Sequence, residues 1–403
     1  MPLVLYLLAL AVFAQGTSEF MLSGLVSDIA TDMEVSVPAA GSLTSAFAVG
    51  MIVGAPLMAI LSLRWPRRRA LLAFLVTFLL AHVAGALTTS YGVLLATRVV
   101  GALANAGFLA VALATATSLV APDAKGRATS VLLGGTTLAC VVGVPGGALL
   151  GQLWGWRAAF WAVALVSLPA VVAVARSVPA GGAGSTGAGA RSELAALRAP
   201  RLLLTLLLGA LVNGATFCAF TYLEPLAIHV TGVGEAWLPA LLALFGLGSF
   251  AGATLSGRVA DSRPVPLLVA GASALLCGWT AFALTAQHTA ATVAFAFVLG
   301  ALSFAVGSTL IARALYAATA APTLGGAFAT AAFNVGAAAG PWAGGRAIGA
   351  GLGYRSPLWV SALMVALALA VAGGAALAAR RARATRPAGL TPVSGRTSAP
   401  PRP

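Results

Sequence analysis

Residues Leu71–Leu87 and Leu358–Ala379 run without a single Asp, Glu, Lys or Arg. Each is long enough to cross a hydrocarbon core of about 30 Å as a helix rising about 1.5 Å per residue. In lipid every backbone N–H and C=O must be bonded within the protein, so such a chain folds as helices or as a closed barrel. Barrel strands would read as alternating segments of about ten residues, a pattern missing here. Composition agrees: 60% of the chain is hydrophobic and 8% charged, whereas soluble domains carry about a quarter charged residues. A water-soluble enzyme and a largely disordered chain are both excluded. The net charge of +14 would suggest nucleic acid if the basic residues lined one soluble face. They sit instead in short gaps between apolar runs, so no nucleic-acid partner is expected and the lipid bilayer is.

Apolar runs between polar gaps predict twelve spans: 4–25, 38–61, 70–88, 92–119, 128–151 and 157–175, then 201–223, 237–258, 265–285, 289–316, 324–348 and 357–379. The first run lacks a basic leader segment and continues with Glu19 inside it, so it reads as a span rather than a signal peptide. The expected division is a six-helix bundle over 1–175, a linker over 176–200, a second bundle over 201–379 and a disordered basic tail over 380–403. The linker holds the flexible stretch Ala180–Gly189. Cys140, Cys218 and Cys277 lie in apolar runs and are expected to be reduced packing residues.

Counting loops alternately puts 18 of the 23 basic residues on the side of the termini and 3 on the other, with Arg98 and Arg313 inside spans. The positive-inside rule then places both termini and the linker in the cytoplasm. An internal repeat supports the even count. A shift of 198 residues aligns Phe47–Ala55 with Phe245–Ala253, and Gly155-Trp-Arg with Gly353-Tyr-Arg. Two six-helix halves of equal orientation form the parallel-repeat architecture of secondary transporters, with a substrate site between the halves near the midplane.

Glu19 is the one acid well inside a span, and an ionisable group there is a functional candidate by default. Arg98, at a similar depth in the fourth span, is its expected partner. The repeat places Phe217 and Phe297 at these two positions, so the charges exist in one half only. The two are expected to couple proton movement to transport; a structural tie is the alternative. Asn105, Asn213 and Asn334, the chain's three asparagines, either bond substrate or bond across helices. Phe217 and Tyr222 either line an aromatic-tolerant pocket or pack. His82, His229 and His288 fall near outer span ends or in outer loops, where no ligand role is expected. Metal-ligand spacing, phosphate-binding glycine loops and Ser/His/Asp sets are all missing, so no metal or cofactor is expected and ATP-driven pumping is disfavoured.

The stretches Phe13-Ala-Gln-Gly-Thr-Ser-Glu-Phe-Met21, Leu43–Pro56, Ala102–Ala112 and Gly155-Trp-Arg-Ala-Ala-Phe-Trp161 resemble the major facilitator superfamily. Within it the chain is similar to twelve-span drug:proton antiporters, especially bacterial chloramphenicol exporters. The resemblance implies an all-α membrane protein of two pseudo-symmetric six-helix bundles. It also implies a charge latch on the cytoplasmic side, mapped onto Arg64, Arg67, Asp261 and Arg263, although Leu63 stands where the first copy carries an acid. Gly143, Pro145, Gly146, Gly147 and Gly151 resemble the antiporter motif, with Val144 splitting the usual Gly-Pro pair. Function is thereby expected to be proton-coupled export of a small amphipathic drug, most of all chloramphenicol, from the bacterial inner membrane by a monomer that is not an enzyme. A sugar or nucleoside exporter on the same scaffold is the alternative, and a non-transport membrane protein a more distant one.

Overall fold

The computed structural model describes residues 3–62, 65–121, 125–178, 199–259, 264–318 and 325–384. Twelve long helices account for most of them. In the first half these are α1 (Leu3–Phe20), α2 (Val37–Ser62), α3 (Arg67–Leu87), α4 (Tyr91–Ser118), α5 and α6 (Trp156–Ser177). The fifth is composite: Lys125–Leu138, a π turn over Ala139–Gly143, then Val144–Trp154. The second half holds α7 (Pro200–Thr221), α8 (Leu238–Val259), α9 (Pro264–Thr285), α10 (Thr289–Ala317), α11 (Gly325–Ala347) and α12 (Ser356–Ala384). Short helices, Val26–Asp32 after α1 and Leu223–Leu226 after α7, prolong the first helix of each half.

Eleven helical segments among the described residues are long and apolar enough to cross a membrane. The remaining long helix, α11, is built largely from Gly and Ala and carries Asn334. It packs against α2 and α7 rather than presenting a broad face to lipid. The final helix overruns its expected end at 379: Arg380 and Arg381 belong to α12, not to a disordered tail. Ala and Arg are strong helix formers, which favours this extension.

Pseudo-symmetry shows in matched contacts. Gly50 of α2 lies against Val99 and Ala102 of α4, and Gly248 of α8 lies against Phe297 and Ala301 of α10. Lipid gives helices no hydrophobic incentive to associate, so small residues that permit close backbone approach supply the packing. The same correspondence fixes two turns. Gly155 (φ 80°) and Gly353 (φ 77°) both adopt the left-handed region before the last helix of their half, a conformation that favours glycine.

Among the described residues the halves share a core on one face. The termini of the described chain lie on one face, here the terminal face. Near it, the first half has its own core around Leu5, Leu8, Phe74, Phe108 and Leu132. The second half has a separate one around Leu202, Leu206, Ala314 and Ala329. Toward the opposite face the cores fuse. Phe20, Cys140, Val144 and Ala148 of the first half join Phe217, Phe220, Leu242 and Phe245 of the second. Along this seam Ser45 Oγ donates to the Ala338 carbonyl (2.8 Å). Gly246 lies directly on the Cys140 carbonyl, and Gly41 and Gly345 face Tyr222. The α8 helix packs along Ala139–Trp154 of α5, with no comparable contact on Lys125–Leu138.

Candidate functional site

Arg98 of α4 is the most buried charge described, with 1% of its surface exposed. Its Nη1 donates to Ser18 Oγ (2.8 Å) and its Nη2 to the Ser18 carbonyl (2.7 Å). The guanidinium lies over the Phe47 ring, 4.5 Å from its centroid, a cation–π contact from α2. Ser18 Oγ also meets His82 Nε2 at 2.6 Å, and His82 Nδ1 meets the Phe78 carbonyl at 2.7 Å. Side chains of α3 and α4 thus converge on one serine of α1, and α2 covers the arginine. The expected Glu19–Arg98 ion pair is not formed in this conformation. The two groups interact electrostatically, but the bonds of Arg98 end on Ser18, about 100° around the helix from Glu19. The Glu19 side chain is half-buried.

His82 lies near the end of α3, where the sequence reading placed it, but it is no bystander. It is buried, 2% exposed, with Phe78 and Phe160 packed against its ring. The signal was present: an ionisable side chain inside an apolar run is a functional candidate on the argument applied to Glu19. Ser18 was missed because one hydroxyl in a helix carries no pattern. Hydrogen-bonding capacity nearby remains unused by the fold. Both amide atoms of Gln15, Oγ1 of Thr17 and of Thr44, and Nε of Arg98 are buried without protein partners.

The remaining candidates divide. Asn105 is buried on α4. Asn213 donates across helices to the Phe333 carbonyl (2.7 Å), and Asn334 to Thr330 of its own helix (2.9 Å). Phe217 packs on Phe20 across the seam, with centroids 5.6 Å apart. Tyr222 donates to the Pro341 carbonyl (2.9 Å) and is sealed in the seam, 1% exposed. The glycine motif is a packing stripe. Gly143, Gly147 and Gly151, four residues apart, lie against Thr17, Met21 and Leu25 of the α1 path. Gly146 meets nothing, and Pro145 is half-buried just after the π turn. Of the latch, Arg67 donates to Ser118 Oγ (2.7 Å). Arg64, Asp261 and Arg263 lie outside the described residues.

On the opposite face Glu224 is buried, and its carboxylate accepts the Ser27 N–H of the other half (3.1 Å). Burial pushes its pKa up to about 7, and Asp28 adds to the rise. Desolvation and Glu235 raise Asp28 in turn. Nearby, Asp32 pairs with Arg157 and accepts Trp156 Nε1–H; the Arg157 hydrogen bond holds its carboxyl below the usual range.

The chain is 58% identical over 375 residues to a chloramphenicol resistance protein of Streptomyces lividans, covering 92% of this chain and 96% of that one. It is 36% identical to the inner membrane transport protein YdhP of Escherichia coli K12, over 90% and 93% of the two chains. It is 34% identical to a chloramphenicol efflux pump of Mycobacterium tuberculosis, over 85% and 84%. Among solved structures, an inward-facing, unoccupied bacterial homologue of the human lysosomal transporter Spinster superposes with TM-score 0.72 at 19% identity, covering 92% and 95%. Matched glycine contacts in two six-helix halves thus accompany a match of residues 8–331 to the Major Facilitator Superfamily model, and the chain belongs to that superfamily.

Proposed function

We propose that this protein is a proton-coupled exporter of small amphipathic drugs, chloramphenicol first among them, working by alternating access as a monomer in the bacterial inner membrane. It is a transporter and not an enzyme. The one-sided seam carries the mechanism: halves fused toward one face and separate toward the other form one half of an alternating cycle. Basic asymmetry assigns the terminal face to the cytoplasm, so the conformation is open inward. The substrate assignment rests on the Streptomyces and Mycobacterium relatives.

The halves, 1–175 and 201–379, rock as units joined by the cytoplasmic linker. Cargo enters from the cytoplasmic side and meets the unused amide of Gln15, with Asn105 across on α4. Glu19 carries the proton. Its ionised form draws Arg98, and protonation from outside releases that attraction and the cargo. When the inner face closes, Asp261 reaches an arginine of the latch. The test is a drug panel in an efflux-deficient bacterium. Expression should raise chloramphenicol tolerance, and an uncoupler should abolish the gain. Unchanged tolerance with increased sugar or nucleoside export would overturn the assignment.

A further inference from the structure

We propose that His82 is a positioning residue of the transport cycle: through Ser18 it holds the Arg98 guanidinium away from Glu19 in the inward-open state. This rests on the reading of Glu19 as the proton carrier.

Hydrogen-bond polarity carries the argument. The Phe78 carbonyl can only accept, so His82 Nδ1 bears a hydrogen. In the neutral ring Nε2 is then an acceptor, and Ser18 gives it its single hydroxyl hydrogen across 2.6 Å. That leaves the lone pairs of Ser18 Oγ turned to Arg98, which donates from Nη1 at 2.8 Å. Nη2 donates to the Ser18 carbonyl at 2.7 Å, so two of the three guanidinium nitrogens are committed to one residue. Phe47 covers a guanidinium face. The chain of donors runs one way, from Arg98 to Ser18 to His82 to Phe78, and every side-chain member is at most 2% exposed.

Without an acceptor at His82, the Ser18 hydroxyl turns to a carbonyl one turn back on α1. Its lone pairs turn from Nη1, which leaves the guanidinium held by the Ser18 carbonyl alone and weakens its hold against the pull of the neighbouring carboxylate. His82 therefore sets how firmly the cation is kept on Ser18 and away from Glu19. It touches neither cargo nor the transferred proton.

The test separates coupling from folding in proteoliposomes. His82→Leu should be present at normal level and retain cargo exchange within twofold, while gradient-driven uphill export falls about tenfold or more. His82→Gln, which restores an acceptor oxygen near the site of Nε2, should recover most uphill export. In a Glu19→Gln background, adding His82→Leu should leave exchange unchanged. The inference is overturned if His82→Leu exports uphill normally, if uphill export and exchange fall together, if Gln fails to rescue, or if the double variant loses exchange. Should His82→Leu not accumulate, Ser18→Ala must show the same split, and equal loss of both activities overturns the inference. Uphill export by Glu19→Gln itself rejects the coupling reading. Loss of that export together with a normal His82→Leu rejects only the role given to His82.

Discussion

Glu19 and Asp32 lie on one helical path yet answer to different physics. Glu19 is half-buried, with a cation near it but bonded elsewhere. Glu19→Gln keeps shape and loses titration. The variant should insert, bind drug and exchange it, but fail to accumulate drug against its gradient, as assayed with radiolabelled chloramphenicol in vesicles. Because Arg98 is bonded to Ser18 and not to Glu19, the variant should accumulate at normal level, and a low level would point to a structural tie instead. Asp32 is a surface matter, its side chain 45% exposed beside Arg157. Its pKa is lowered by Arg157. Its stabilisation is therefore complete above the ordinary carboxylate value of about 4 and lost as pH falls through the lowered one. Exposed pairs are worth about 0–1 kcal/mol. Melting of Asp32→Asn in detergent should thus fall slightly below wild type at pH 7, and the two should converge at the acid end. A constant gap would contradict this.

At the scale of the element, the α1–α5 contact offers a matched pair of substitutions. A Cβ at Gly143 would collide with the Thr17 side chain, whereas one at Gly146 meets nothing within 4 Å. Gly143→Ala should lose about 1–3 kcal/mol through overpacking, and Gly146→Ala should be neutral or better, read as thermal stability of the purified protein. Equal melting of the two variants would show that the stripe is not the contact. Such details mark how far the sequence was legible. Span number and repeat were readable because apolar length and a 198-residue shift are long-range patterns. Which glycine faces a neighbour was not, because Gly143, Gly146 and Gly147 are identical in composition and differ only by rotation about the helix. The same limit separated Ser18 from Glu19: adjacent residues point about 100° apart, and only the placed helices show which one Arg98 meets. Tyr222 was legible as an aromatic that either lines a pocket or packs, but its burial against Gly41 and Gly345 needed both halves in place.

For the whole molecule the seam is the object that moves. Glu224 binds its proton with a pKa of about 7 while buried there, and opening would return it to water, where a glutamate titrates near about 4.3. Closing therefore takes up a proton between these values, so acidification in that window favours the outward-closed state. Paired spin labels at Thr31 and Ala236 should move closer as pH falls from 7.5 to 5. Glu224→Gln should hold the short distance at both. A wild type indifferent to pH, or a variant that still responds, would remove Glu224 from the gate. The fused aromatic core has a separate consequence. Opening outward peels Phe20 from Phe217 and wets their faces, at about 25 cal/mol per Å² of apolar surface exposed. A lipophilic passenger lying against those rings offsets part of that cost, and an empty carrier has no such help. In the proposed orientation, unloaded molecules would then rest shut toward the exterior, and a proton gradient coupled to the cycle would drain little through carriers with nothing to carry.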